Sequence, residues 1–153
     1  MAVTTLAELK QGLARQGRVL GLDLGSKTIG LALSDVLRTI ATPYETIRRT
    51  KFQADAIALG QIIEREEVQG LVLGLPISMD GTEGPRCQST RQFAANLLTL
   101  MDMPMAFWDE RLSTAAVERV LIQDADMTRK RRAEVIDKMA AAYILQGALD
   151  AVG

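Results

Sequence analysis

The chain has 153 residues, of which 48% are hydrophobic and 24% are charged, and its formal net charge is −1. This length fits one domain with a substantial core, and the near-neutral charge means that any site for a polyanion must be a local patch. The sequence contains no histidine and a single cysteine, which excludes histidine-based triads, histidine metal sites and an internal disulfide framework. No apolar run approaches a membrane-spanning length, so we expect a cytoplasmic protein without a membrane partner.

The first part of the chain predicts a short helix followed by three strands. Residues 4–15 place their leucines on one helical face. Residues 19–24 and 28–34 flank a Gly-Ser-Lys turn and predict a β-hairpin. A third strand is predicted over 40–47, where Pro43 indicates an edge position or a bulge.

The rest of the chain predicts alternating helices and strands. Residues 53–66 have helical spacing, and residues 70–75 form a short apolar run typical of a strand buried on both faces. A turn-rich loop follows, from Pro76 to Pro85. The remaining predicted elements are a helix over 88–101, a strand over 105–109, a helix over 113–122 and a final helix over 133–151. This order predicts an α/β fold with a mixed sheet, antiparallel early in the chain and parallel late.

Asp23 lies in the middle of an apolar strand, VLGLDLG, where a charge is unexpected. Strand alternation places the neighbouring leucines on one face and Asp23 with glycines on the other. A buried carboxylate needs a cation, strong hydrogen bonds or solvent. Three structural roles for Asp23 remain open. The carboxylate could form an ion pair with Lys27 or an arginine, cap the following turn, or occupy an ordinary solvated position. The hairpin also resembles the phosphate-binding Asp-Gly hairpin of sugar kinases and actin-like ATPases.

Further carboxylates lie at two other candidate positions. Asp109 and Glu110 follow a predicted strand, where open α/β sheets tend to place ligand sites. They face opposite sides, so only one is expected to reach Asp23, and the other would cap the next helix or pair with Arg111. Asp137 lies at the centre of an alanine-rich helical face. It could instead complement the dipole in the first turn of that helix.

Carboxylates from two strands and one helix form a plausible site for hard divalent cations. Mg²⁺ and Mn²⁺ favour oxygen ligands, and paired ions can activate water and stabilise the leaving oxygen of a phosphodiester. Such chemistry does not require a histidine base. The residues alone therefore indicate metal-dependent phosphodiester hydrolysis, provided that the three positions converge.

Four segments together resemble the YqgF family of Holliday-junction resolvases and pre-ribosomal RNA nucleases, in the RuvC-like branch of the ribonuclease H fold. They are LDLGSKTIGLALSD, LGLPISMDGTEGP, WDERLSTAAVERVL and the D-x-x-A-A-x-x-I-L pattern of DKMAAAYIL. The resemblance covers residues 18–149 with its motifs in the family's order. It implies an α/β, ribonuclease H-like fold with a five-stranded mixed sheet flanked by helices. The corresponding division is an N-terminal helical extension, 1–17, and a nuclease domain, 18–153.

The resemblance also implies roles for particular residues. It carries the catalytic and metal-binding site, for Mg²⁺ or Mn²⁺, onto Asp23, Glu110 and Asp137, and so chooses Glu110 over Asp109. It makes the following basic residues candidate substrate contacts: Lys27, Arg111, Arg129, Lys130, Arg131 and Arg132. A charge run such as 129–132 is more often a solvated surface, although arginine and lysine also supply most contacts to nucleic-acid backbones.

Two features are left without a firm role. The loop Gly74–Gly81 either borders the active-site cleft or is a strand-ending turn. A second, weaker basic cluster consists of Arg48, Arg49 and Lys51.

We therefore expect a divalent-metal-dependent nuclease acting on structured nucleic acid. Precursor small-subunit ribosomal RNA and branched DNA fit equally well, and the chain could be a monomer or a homodimer. A dimer would favour a four-way DNA junction as the substrate, whereas a monomer would favour trimming of RNA. Of the two substrates, we slightly prefer RNA. A non-catalytic RNA-binding or transcription-associated module is the alternative. A sugar-kinase-like ATP binder is disfavoured, because that fold needs a duplicated domain and about twice this length.

Overall fold

The computed structural model describes residues 3–13, 16–112 and 129–152. Six strands form one mixed sheet: β1 (Val3–Thr4), β2 (Arg18–Leu24), β3 (Thr28–Ser34), β4 (Ala41–Arg48), β5 (Val68–Leu75) and β6 (Met105–Asp109). The described helices are α1 (Leu6–Gly12), α2 (Phe52–Arg65), α3 (Pro85–Leu98), a 3₁₀ helix (Glu110–Leu112) and α4 (Arg129–Val152). No helix in these ranges is long and apolar enough to cross a membrane.

The sheet has the order β1-β6-β5-β2-β3-β4. β3 pairs antiparallel with β2 and β4, whereas β5 pairs parallel with β2 and β6. The predicted change from antiparallel to parallel pairing is therefore confirmed. β4 is an edge strand, and its register with β3 shifts where Ala32 pairs with Pro43, so the edge and the irregularity expected from Pro43 are both present.

The sheet lies between two helical layers. On one face, Leu20, Leu22 and Leu24 join the core that contains α2 and α3. On the other face, Val19 and Val72 join a second core that contains α4 and Leu9 of α1. Alternation along β2 therefore sends its leucines to one layer and Asp23 to the face covered by α4.

The structure corrects three predictions from the sequence. The sheet has six strands where five were expected, because the two-residue β1 pairs parallel with β6. α3 begins at Pro85, three residues earlier than predicted, because proline is well tolerated in the first turn of a helix. α4 begins at Arg129, so the basic run 129–132 belongs to the helix and does not precede it. Arginine and lysine are good helix formers. The helix predicted over 113–122 lies outside the described residues.

α4 packs unusually close to the sheet because it crosses glycines. A Cβ atom at Gly21 would lie 2.8 Å from the Cβ of Leu145. A Cβ atom at Gly30 would overlap the main-chain carbonyl of Asp137. The alanines of α4 that face the sheet, Ala140, Ala141 and Ala148, are buried and complete this close contact.

This contact predicts opposite effects for two glycine-to-alanine changes. Gly30→Ala should lower the free energy of unfolding by about 1–3 kcal/mol, because the added methyl group must displace the α4 backbone. Gly60→Ala is the matched control in α2, where a Cβ atom meets nothing within 4 Å. It should raise the free energy of unfolding by about 0.5–1 kcal/mol, since alanine is the better helix former. Urea unfolding measures the free energy of unfolding of both variants. A Gly30→Ala variant as stable as the wild type would contradict the close approach of α4.

Candidate active site

Asp23 lies near the carboxyl end of β2, on the face of the sheet that α4 covers. Only 4% of the residue is exposed. Gly30 lies directly opposite it on β3, so no side chain at that pairing position fills the space beside the carboxylate. The hairpin therefore leaves room for α4 to bring a second group to Asp23.

Asp137 reaches this position through the contact of α4 with Gly30. The main chain of Asp137 and Lys138 lies directly over that glycine. The hydroxyl of Thr28 donates a hydrogen bond to Oδ2 of Asp137 at 2.5 Å, which holds the carboxylate from the sheet side. Asp23 and Asp137 thus both adjoin Gly30, one across the hairpin and one above it.

Glu110 reaches the same face of the sheet from the 3₁₀ helix that follows β6. Its side chain lies over Gly74 of β5, where a Cβ atom would be 2.7 Å from Oε1 of Glu110. The same Cβ atom would be 2.6 Å from Cδ1 of Ile144, a residue of α4. Glu110 therefore lies between β5 and α4, and β5 is the strand that pairs with β2 next to Asp23.

Asp109 makes a different contact. Nη2 of Arg111 lies 2.6 Å from Oδ2 of Asp109, and the backbone N–H of Arg111 donates to Oδ1 at 2.9 Å. The side-chain hydrogen bonds from Arg111 lower the pKa of the Asp109 carboxyl below its ordinary value. Asp109 is thus held by an arginine, while the adjacent Glu110 lies over the β5 glycine.

The predicted basic contacts lie in three different environments. Lys27 is exposed in the β2–β3 turn, and its carbonyl accepts a hydrogen bond from the backbone N–H of Arg49 at 2.8 Å. Arg111 binds Asp109 and donates to the carbonyl of Ser78 at 3.4 Å, which links β6 to the loop after β5. The side chains of the run 129–132 lie outside the described part of the structure.

Two contributors to this arrangement were missed in the sequence analysis. Thr28 was assigned only to the start of the second hairpin strand, 28–34, yet it bonds directly to Asp137. Gly74 was treated as part of a loop motif, yet it admits the Glu110 side chain. A glycine at an otherwise apolar strand position is the signal for such a close approach.

The chemistry of these three side chains suits a hard divalent cation. Asp23, Glu110 and Asp137 offer carboxylate oxygens only, which are the donors that Mg²⁺ and Mn²⁺ prefer. The glycines at positions 30 and 74 allow the main chain of Asp137 and the side chain of Glu110 to lie against the sheet. Among the described residues, no group of three or more Asp, Glu, Cys or His side chains is already arranged to hold an ion. The metal site therefore stays a prediction for which the donor set is suited.

Comparison with known proteins identifies the relatives of this chain. The family model described as "RuvX: Holliday junction resolvase" matches residues 17–151. A relative from Paramagnetospirillum magneticum, named "Putative pre-16S rRNA nuclease", is 68% identical over 150 residues, covering 98% of this chain and 96% of that protein. A relative of the same name from Rhodospirillum rubrum is 59% identical over 152 residues, covering 99% and 94%.

The structure is similar to that of T. thermophilus RuvC in complex with a Holliday junction substrate. The TM-score is 0.56 at 12% sequence identity, and the match covers 88% of this chain and 94% of the RuvC chain. At this identity the likeness shows the fold alone, which is ribonuclease H-like as the motifs implied. Because the family model and both relatives span nearly the whole sequence, the chain belongs to the RuvX family, which is the YqgF family indicated by its motifs.

Proposed function

We propose that this protein is a divalent-metal-dependent nuclease that hydrolyses phosphodiester bonds in structured nucleic acid. The observation that carries the proposal is that Asp23 and Glu110 lie on the face of the sheet that α4 covers, while α4 itself carries Asp137 to the same face over Gly30. Membership of a family whose named relatives are nucleases supports it. Precursor small-subunit ribosomal RNA is our preferred substrate, with processing at its 5′ end, in the bacterial cytoplasm.

Each carboxylate has a separate task in this proposal. Asp23, on β2, supplies one oxygen ligand, and Glu110 supplies a second from the 3₁₀ helix that follows β6. Asp137 supplies a third, with its orientation set by the hydrogen bond from Thr28. Bound Mg²⁺ or Mn²⁺ would lower the pKa of a water molecule and stabilise the leaving oxygen.

The cysteine thiol is poorly placed to act as a nucleophile. Cys87, the one cysteine, is fully buried, and this burial raises the pKa of its thiol. A thiol in that state is a weak nucleophile. Water is therefore the nucleophile that this chemistry favours.

The first prediction concerns the metal and the substrate. Cleavage of precursor 16S rRNA should be absent in excess chelator and return with Mg²⁺ or Mn²⁺, because the site offers only carboxylate donors. A four-way DNA junction assayed in parallel compares the two substrate classes by their kcat/KM values. Cleavage in excess chelator would contradict the mechanism. Binding of RNA without cleavage under any metal condition would favour the alternative, a non-catalytic RNA-binding module.

The second prediction concerns Asp23. Asp23→Asn should lower kcat by more than about 100-fold, because loss of a direct ligand should exceed the 10–100-fold cost of losing an outer-shell partner. Binding of RNA in chelator should be unchanged or tighter, since one negative charge is removed near phosphate. The control is Asp102→Asn, at an exposed position before β6. An active Asp23→Asn variant would contradict the proposed role as a ligand, and a variant that fails to fold would show that the carboxylate has a structural role.

The third prediction separates the two adjacent acids. Glu110→Gln should abolish cleavage and leave stability nearly unchanged, whereas Asp109→Asn should keep cleavage and lose about 1 kcal/mol of stability through its broken ion pair. Arg111 lowers the pKa of Asp109, so this stabilisation is present above the ordinary pKa of 3.8 and is lost as the pH falls through the lowered value. Cleavage assays test the expected difference in activity, and urea unfolding at pH 7 and pH 3 tests the expected difference in stability. Loss of activity in Asp109→Asn alone would reverse the assignment.

A further inference from the structure

A second cleft lies at the carboxyl end of β2, beside the hairpin turn that follows Asp23. Its volume is about 470 Å³, and it extends from the turn to the start of α3. The described residues that line it include two arginines, Arg49 and Arg86, and no acidic residue. Net positive charge at such a place is notable in a chain whose overall charge is −1.

Arg49 is fixed at the wall of this cleft by the hairpin itself. Its Nη1 donates to the carbonyl of Gly25 at 2.6 Å, and its guanidinium lies 5.5 Å from the centre of the Phe93 ring. Its Nε lies 4.0 Å from Oδ2 of Asp55, the limit of an ion pair. The side chain is 31% exposed and lines the cleft.

Arg86 is far less occupied. Its guanidinium carries five N–H donors, yet within the described part of the chain its one side-chain hydrogen bond is a long contact of 3.5 Å to the Leu24 carbonyl. The hydroxyl groups of Ser26 and Ser89 line the same cleft and are exposed. The positive end of the α3 dipole lies at this place and adds to the attraction for an anion. The cleft therefore presents cationic and neutral donors and no carboxylate of its own.

We propose that the cleft between Arg49 and Arg86 binds a backbone phosphate of the substrate strand next to the bond that is cut. This inference rests on the proposed function, because it takes the strand to cross the end of β2 at Asp23. Arginine guanidinium groups form forked hydrogen bonds with phosphate oxygens, and such backbone contacts fix the register of a strand without reading its sequence. The cleft would thereby position the scissile phosphate over the carboxylates.

The test measures binding of a single-stranded RNA oligonucleotide in chelator across a series of salt concentrations. Arg86→Gln should reduce the slope of log K against log salt by about 0.7, the value for one lost contact to a single strand. The matched control is Arg65→Gln, which removes the same charge from an exposed position at the end of α2. The control should keep the wild-type slope. Thermal unfolding of both variants confirms that they fold.

Two additional measurements sharpen the test. Ser89→Asp keeps both arginines but places a carboxylate in the cleft, so it should also weaken binding. An oligonucleotide with neutral methylphosphonate linkages should bind wild type and Arg86→Gln equally, because the phosphate charge that Arg86 contacts is then missing. In cleavage assays with metal, Arg86→Gln should raise KM and leave kcat near the wild-type value.

The outcomes distinguish this inference from the proposed function. Equal salt slopes for Arg86→Gln and Arg65→Gln would overturn the phosphate cleft, whatever the cleavage result. A lower kcat with unchanged KM would overturn it as well, since the residue would then act on the chemical step. If Arg86→Gln reduces the salt slope but the wild-type protein does not cleave RNA, phosphate binding in the cleft is supported and the nuclease proposal fails. Wild type that binds no oligonucleotide would overturn both.

Discussion

The contact between α4 and the glycines of the sheet determines where every other part of the candidate site lies. The main chain of Asp137 occupies the space where a side chain at Gly30 would otherwise be. Because a helix and two paired strands are stiff elements, this contact fixes Asp137 relative to Asp23 without any loop between them. Gly74 extends the same principle to β5, where the vacant Cβ position admits Glu110. A site built on such elements is more precise than one built on loops.

This arrangement has an electrostatic cost. Asp23 is almost fully buried, which is costly for a carboxylate, and like charge repels any further carboxylate that approaches it. The alanine and leucine packing of α4, which does not depend on the carboxylates, holds the helix in place against this repulsion. A bound cation would offset the repulsion and add stability by mass action. Under the proposed function, the packing that defines the geometry of the site would also place its carboxylates for a cation.

Much of this structure was accessible from the sequence, and the exceptions have identifiable causes. Alternation along β2 correctly separated Asp23 from its leucine neighbours, and the bounds of β6 were predicted at both ends. Strand alternation alone left the choice between Asp109 and Glu110 open, and only the family resemblance favoured Glu110, because the positions of the two side chains depend on the 3₁₀ turn after β6 and on a glycine in a different strand. The pairing of β1 with β6 joins residues about 100 positions apart, and local periodicity carries no information on it. The helix starts of α3 and α4 were missed because proline and basic residues were taken as boundary signals.

The two sides of β2 also differ in charge, and this difference has a consequence for substrate orientation. Toward α4 the strand presents a carboxylate, whereas toward α3 its carboxyl end meets two arginines that contact the carbonyls of Gly25 and Leu24. Under the two proposals above, a polyanionic strand would be repelled by the first surface unless cations were bound there, and it would be attracted to the second with or without metal. Binding of the strand and loading of the metal would then be separable, and the strand could be held at the arginines before the carboxylates became attractive to phosphate. On these proposals, a fold with a net charge of −1 would gain local affinity for nucleic acid by separating its charges across the end of one strand.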